Sequence, residues 1–115
     1  MSRAFVQTVC APLPGAEVSD PWGGGHDAWK INGKMFACIG SQDQGVAVKT
    51  SDPEFAAMMI GAGDAQRAPY FHASWVLLPW GTDESLMRDR LLVSYDIIRA
   101  GLTKKAQAAL PPRAD

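Results

Sequence analysis

The chain has 115 residues, of which 47 % are hydrophobic and 20 % are charged, a composition typical of one globular domain. We expect a single domain over residues 1–115 with an ordered core from about residue 3 to residue 110. The formal net charge of −1 counts against a dedicated nucleic-acid-binding protein, because that class is often strongly basic. The N-terminus lacks the apolar core of a signal peptide, and no apolar run approaches the roughly 20 residues of a membrane helix. We therefore expect a cytoplasmic protein with no membrane partner.

The first predicted elements are a helix and a short edge strand. The helix has Ser2 available as its N-cap, and its apolar residues recur at helical spacing: Phe5, Val6, Val9, Cys10 and Leu13. Pro12 and the Pro14-Gly15 pair end it. Residues 16–19 are predicted to be extended, and residues 20–26 form a glycine-rich loop that contains Trp22.

A three-stranded antiparallel meander is predicted over residues 27–50. Asn32-Gly33 is the dipeptide that best suits a type I′ turn, because both central residues of that turn need a positive φ. A two-residue loop predicts four facing pairs: Ile31 with Lys34, Lys30 with Met35, Trp29 with Phe36 and Ala28 with Ala37. The loop Gly40–Gly45 then returns the chain into a third strand that contains Val46 and Val48.

The remaining chain predicts helices around one further strand. Asp52 and Pro53 are typical of a helix start, and the buried face of this middle helix is predicted to hold Phe55, Met58 and Met59. Residues 64–73 are predicted to be irregular, and residues 74–80 form a continuously apolar strand that is covered on both faces or along much of its length. A long helix starts near Asp83 with an apolar stripe, and Thr103 caps a last short helix. The predicted fold class is α+β, an antiparallel sheet packed by an N-terminal, a middle and a long C-terminal helix.

Catalytic and metal signatures are weak in this sequence. The Gly23–Gly25 run lacks the spacing of phosphate-binding fingerprints, and the four His and Cys residues show no close ligand pairs. Cys10 and Cys38 are expected to be two buried thiols, although a disulfide between them stays open. Ser74 and Ser94 are conceivable nucleophiles, but no nucleophile-elbow or Cys–His signature accompanies them. We expect a non-enzymatic protein with no metal and no cofactor.

Two binding hypotheses remain. In the first, basic residues on projecting hairpins contact the phosphates of double-stranded DNA weakly and in a salt-sensitive way. Its candidate residues are Lys30, Lys34, Lys49, Arg67, His72, Lys104 and Lys105. In the second, an aromatic cleft binds a protein or a small ligand. Its candidate residues are Trp22, His26, Tyr70, Phe71 and Trp75.

The order of several short motifs resembles the MmcQ/YjbR family. They are Leu13-Pro14-Gly15-Ala16-Glu17, Trp29-Lys30-Ile31, Gly33-Lys34-Met35-Phe36-Ala37, Val48-Lys49, Asp52-Pro53, Pro69-Tyr70, Trp75-Val76, Ser94-Tyr95-Asp96 and Lys104-Lys105. The resemblance covers residues 5 to 110 and implies a CyaY-like domain whose hairpins form a double wing. It also implies DNA binding, and it assigns that role to the basic residues of the wings and of the C-terminus. Iron binding of the frataxin type is not implied, because the first helix has no carboxylates.

Overall fold

The computed structural model describes residues 1–113 and confirms the α+β class. The helices are α1 (Arg3–Cys10), α2 (Pro53–Gly61), α3 (Glu84–Ala100) and α4 (Lys104–Ala108). The strands are β1 (Ala16–Ser19), β2 (Asp27–Ile31), β3 (Lys34–Ile39), β4 (Gly45–Lys49), β5 (Gln66–Arg67) and β6 (Trp75–Pro79). All neighbours in the six-stranded sheet are antiparallel, in the order β1-β2-β3-β4-β6-β5. No helix within residues 1–113 is long and apolar enough to cross a membrane.

The predicted helix starts are confirmed by their capping bonds. Asp52 Oδ1 accepts a hydrogen bond from the N–H of Phe55 at 2.8 Å, with Pro53 in the first turn. The side chains of Ser2, Asp83 and Thr103 cap the other three helices in the same way. Past α4, Arg113 pairs with Asp96 at 2.8 Å. The end of the tail predicted beyond residue 110, residues 114 and 115, lies outside the described residues.

The predicted hairpin turn is confirmed, but the predicted register of its strands is wrong beyond two pairs. Asn32 and Gly33 have φ values of 50° and 80°, as a type I′ turn requires. Next to the turn, Lys30 faces Met35 as predicted, but Trp29 faces Ala37 instead of Phe36. Ala28 accordingly faces Cys38. The physical reason is a β-bulge at Phe36, which adds one residue to β3 and turns both Phe36 and Ala37 towards the main core.

The middle helix confirms two of its three predicted core residues, since Met59 is buried and Phe55 packs half-buried against the core, whereas the prediction for Met58 is wrong. Ala56 and Met59 face the core, whereas Met58 is 59 % exposed. These two buried residues are three apart and so share one face of the helix, and Met58 precedes Met59 by a rotation of about 100°. The two-residue strand β5 lies in the segment that was predicted to be irregular.

The sheet separates a well-covered face from a half-covered one. All four helices contribute to the main core on the first face, including the fully buried Tyr95 of α3. Within residues 1–113, no helix contributes to the small cluster on the second face, whose buried members are Cys38, Ala47 and Ala68. In β6, Val76 and Leu78 are buried, whereas Trp75 and Leu77 are only half-buried on that second face. The apolar run of β6 is therefore only partly covered on its second side.

Ser94 has a structural role in the core. It is fully buried in α3, where its hydroxyl donates to the carbonyl of Phe36 at 2.6 Å and accepts from the N–H of Lys49 at 2.9 Å. The carbonyl of Phe36 lies at the bulge, where the serine satisfies it, and the two bonds of Ser94 tie β3 and β4 to the helix.

Candidate functional site

An open cleft of about 810 Å³ lies over the half-covered face of the sheet. We call it the aromatic cleft. Its floor is apolar and consists of Met35, Cys38, Ala47 and Leu77. Two loops rise on either side of this floor, residues 68–72 and residues 40–45, and Trp22 and His26 stand at its mouth.

The first wall is built around a tight turn. The N–H of Phe71 donates to the carbonyl of Ala68 at 3.3 Å, which places Pro69 and Tyr70 at the two central positions. Tyr70 has a φ of 73°, the value of the third residue of a type II turn, where glycine is favoured. Phe71 turns inward and stacks on Trp75 with ring centroids 4.8 Å apart. Tyr70 instead projects fully into solvent at the rim.

The second wall is fixed by Arg3 at the start of α1. Its guanidinium pairs with Asp27 at 3.2 Å and with Asp43 at 3.0 Å. It also donates to the carbonyls of Gly25 and Gly40, at 2.6 and 3.0 Å. One side chain thus holds together the glycine-rich loop, the start of β2 and the loop 40–45.

Two further features hold the loop 40–45 against the sheet. The indole N–H of Trp80 donates to the carbonyl of Asp43 at 2.7 Å. Gly45 packs so closely on β6 that a Cβ atom would overlap the backbone of Leu78 and Pro79.

The mouth of the cleft carries a histidine against a tryptophan. The rings of Trp22 and His26 meet edge to face with centroids 5.1 Å apart. His26 Nδ1 lies 3.1 Å from the carbonyl of Gly23 and 3.5 Å from Asp20. Asp20 in turn accepts the N–H of Gly25 at 2.9 Å, so this loop has internal hydrogen bonds. Trp22 remains 60 % exposed.

A chain of polar side chains adjoins the opposite end of the cleft. Lys49 Nζ donates to Ser74 Oγ at 2.6 Å, and Ser74 Oγ lies 2.9 Å from His72 Nδ1. The backbone N–H of Ser74 also donates to His72 Nδ1 at 3.1 Å. Nδ1 therefore acts as an acceptor, and the proton of a neutral His72 ring lies on Nε2. Ser74 itself is buried, so the conceivable nucleophile is enclosed by these contacts.

The thiol on the floor of the cleft is held in its neutral form. Burial raises the pKa of Cys38, and the nearby charge of Asp27 raises it further, against the opposing effect of Arg3. Burial also raises the pKa of Cys10 to about 12. Both cysteines are free thiols, as the sequence predicted, and neither is activated as a nucleophile at neutral pH. Within residues 1–113 no three His, Cys, Asp or Glu side chains lie close enough together to hold a metal ion.

The structure brings together the five residues of the predicted cleft and separates the predicted phosphate contacts. Trp22, His26, Tyr70, Phe71 and Trp75 all line the aromatic cleft.

The seven predicted phosphate contacts lie in several places. Alternation along the strands puts Lys30 and Lys49 on the cleft side of the sheet. Lys34 is exposed beside the hairpin turn, and His72 lines the cleft. Arg67 faces Val76 in the register and so lies on the helix side, where α4 also places Lys104 and Lys105. These seven residues therefore form no single surface.

Sequence reasoning missed the parts that shape the cleft. No sequence pattern singles out Arg3, because its four partners come from 22 to 40 residues away along the chain. Met35 and Leu77 could have been recognised from strand alternation, since each lies on the opposite face from its buried neighbours Phe36 and Val76.

Comparisons with known proteins agree with this architecture. The sequence profile of the YjbR family matches residues 11–97. The crystal structure of Deinococcus radiodurans protein DR2400, which contains a DUF419 domain, superposes with a TM-score of 0.82 at 20 % identity, covering 96 % of this chain and 89 % of that one. That likeness shows a shared fold. No protein with curated annotation matches the sequence significantly. Because the family profile spans most of the chain, this protein belongs to the YjbR family.

Proposed function

We propose that this protein binds a small planar aromatic molecule in the aromatic cleft. The observation that carries the proposal is the convergence of the five aromatic residues Trp22, His26, Tyr70, Phe71 and Trp75 on one cavity, although they come from two segments almost 50 residues apart. Flat aromatic walls favour flat ligands, because stacked and edge-to-face contacts add to the burial of apolar surface.

The size and lining of the cleft suit a small molecule. Its volume of about 810 Å³ falls in the range of small-molecule sites, roughly 300–1,000 Å³. The floor offers apolar contacts through Met35 and Leu77, and the loop 40–45 adds polar side chains at the rim. A few polar groups around an apolar floor are the usual arrangement for orienting a ligand.

Two features indicate that the walls are pre-organised. Arg3 and Trp80 fix the loop 40–45 through hydrogen bonds from within the chain. Tyr70 keeps a strained backbone conformation although its side chain is solvent-exposed and contributes no burial. Strain at an exposed aromatic residue supports a role in binding, because residues in sparsely populated backbone regions cluster at functional sites.

The test is a ligand-observed NMR screen of planar aromatic compounds against aliphatic compounds of equal size. We expect several aromatic compounds to bind and to compete with one another, since they share one cleft. Trp22→Ala should weaken them about fivefold or more, because removing a stacking partner costs about 1–3 kcal/mol.

Met58→Ala is the matched control. Met58 is as exposed as Trp22 but lies on α2, on the other side of the sheet, so its replacement should leave binding unchanged. Equal loss of binding in the two variants, or no aromatic compound bound at all, would contradict the proposal.

Weak binding of double-stranded DNA is the second candidate function. It is supported by the absence of ion pairs at Lys30, Lys34 and Lys49 within residues 1–113, which leaves three cations uncompensated. The test is fluorescence anisotropy of a labelled duplex at low and moderate salt. We expect binding that weakens steeply with salt and that is reduced by Lys30→Ala/Lys34→Ala. Salt-insensitive anisotropy, or full affinity in that double variant, would count against phosphate contacts at this hairpin.

A further inference from the structure

The two ends of the aromatic cleft differ in charge. Strand β4 runs along the cleft from Gly45 to Lys49, a span of about 13 Å. At the Gly45 end, Arg3 is shared between two carboxylates, Asp27 and Asp43. At the other end, the ammonium group of Lys49 forms no ion pair with any of residues 1–113.

Lys49 is held in place at this end by neutral groups. It is half-buried, and its Nζ donates to Ser74 Oγ at 2.6 Å, so one of its three donors is satisfied and its charge is not neutralised. Ser74 is 2 % exposed and cannot move freely, which fixes the position of the ammonium group.

His72 connects this charge to the cleft. Its Nδ1 is occupied by Ser74, through the hydroxyl at 2.9 Å and the backbone N–H at 3.1 Å. The ring lines the cleft and is exposed, so its Nε2–H is left as a donor towards solvent or ligand. A hydrogen-bond donor backed by an unneutralised cation is a favourable site for an anionic oxygen.

We infer that the ligand of the aromatic cleft carries an anionic group, a carboxylate or a phosphate, which binds at the His72 end beside Lys49. The ring stacks against Phe71 and Trp75, and the anionic oxygens accept from His72 Nε2 under the attraction of the ammonium group. This inference rests on the proposed function, because it assigns the polarity of the ligand that the aromatic cleft binds.

The experiment compares two pairs of probes by isothermal titration calorimetry. Each pair holds the ring constant and changes the charge: adenosine with adenosine 5′-monophosphate, and indole-3-acetamide with indole-3-acetate. The anionic member of at least one pair should bind about tenfold more tightly, with an advantage that shrinks as salt is raised. Preference in the first pair identifies a phosphate, and preference in the second identifies a carboxylate.

Two variants test whether the preference for the anionic probe comes from the charge of Lys49. In Lys49→Gln the preference for the anionic member should fall to about one, while the neutral member binds as before. Lys30→Gln is the matched control, since it removes the same charge from the same side of the sheet and should leave the preference unchanged. Thermal melting of each variant shows that it is folded, and the comparison of paired probes on the unmodified protein does not depend on any variant.

The outcomes separate this inference from the proposed function. Equal binding of both members of each pair, or a preference that survives in Lys49→Gln, overturns the anionic subsite and leaves the aromatic cleft standing. Failure of all four probes to bind overturns this inference. The aromatic screen described above then decides separately whether the cleft binds neutral rings.

Discussion

Replacing Tyr70 by glycine is expected to stabilise the protein and to weaken its binding of aromatic ligands at the same time. Tyr70 is the third residue of the turn closed by Ala68 and Phe71, with a φ of 73°. Glycine adopts this conformation without strain, whereas a side chain with a Cβ atom does not.

The magnitude follows from three contributions. Relief of the left-handed conformation stabilises the native state by about 1–2 kcal/mol. The greater backbone freedom of glycine in the unfolded chain opposes this by about 0.5–1 kcal/mol. No packing is lost, because the Tyr70 side chain is fully exposed. The difference lies between about 0 and 1.5 kcal/mol, and its central value of about 0.7 kcal/mol raises the Tm by about 2–5 °C in a domain of this size.

The assay is thermal unfolding followed by circular dichroism, combined with titration of an aromatic ligand from the screen. Tyr70→Phe is the control, because it keeps both the ring and the backbone strain, and it should match the unmodified protein in Tm and affinity. A Tm that falls in Tyr70→Gly would show that the tyrosine stabilises the fold, and the argument from strain to function would then be refuted.

Three substitutions test the fold that carries the cleft, each by chemical denaturation. Ser94→Ala should lower the free energy of unfolding by about 2–3 kcal/mol, because it leaves a buried carbonyl and a buried N–H without their partner. A decrease smaller than about 0.5 kcal/mol would contradict that role. Gly45→Ala should destabilise by about 1–3 kcal/mol through overlap with the β6 backbone, whereas Gly40→Ala, which meets nothing within 4 Å, should be neutral. Gly33→Val should cost about 1–3 kcal/mol because of its positive φ, and an unchanged unfolding curve would mean that the turn is not type I′.

Local signals account for the elements that the sequence predicted correctly. Capping residues such as Asp52, and the Asn32-Gly33 turn, act on neighbouring backbone groups, so their effect is visible in a short window. The bulge at Phe36 is different. The carbonyl of Phe36 accepts a hydrogen bond from the hydroxyl of Ser94, 58 residues later in the chain. No pattern within the hairpin itself indicates that contact.

The candidate site shows the same division between local and distant contacts. The aromatic residues from Tyr70 to Trp75 are conspicuous in the sequence because of their type, and this alone suggests a common cleft. The residues that shape the cavity are not conspicuous in the sequence. Arg3 binds four partners that are distant in the chain, and Lys49 is positioned by its hydrogen bond to Ser74. A lysine on a strand is typical of a solvated face, and only the fold shows that this one stands beside the cleft.

The most direct test of the account is an NMR titration that follows the four indole N–H signals of the ¹⁵N-labelled protein while indole-3-acetate or another aromatic ligand is added. Trp22 and Trp75 line the aromatic cleft, whereas Trp29 is buried in the main core and serves as an internal reference. We expect saturable shifts of the Trp22 and Trp75 signals with an unchanged Trp29 signal. Unchanged Trp22 and Trp75 signals with every aromatic ligand tried would contradict the claim that this cleft is the binding site.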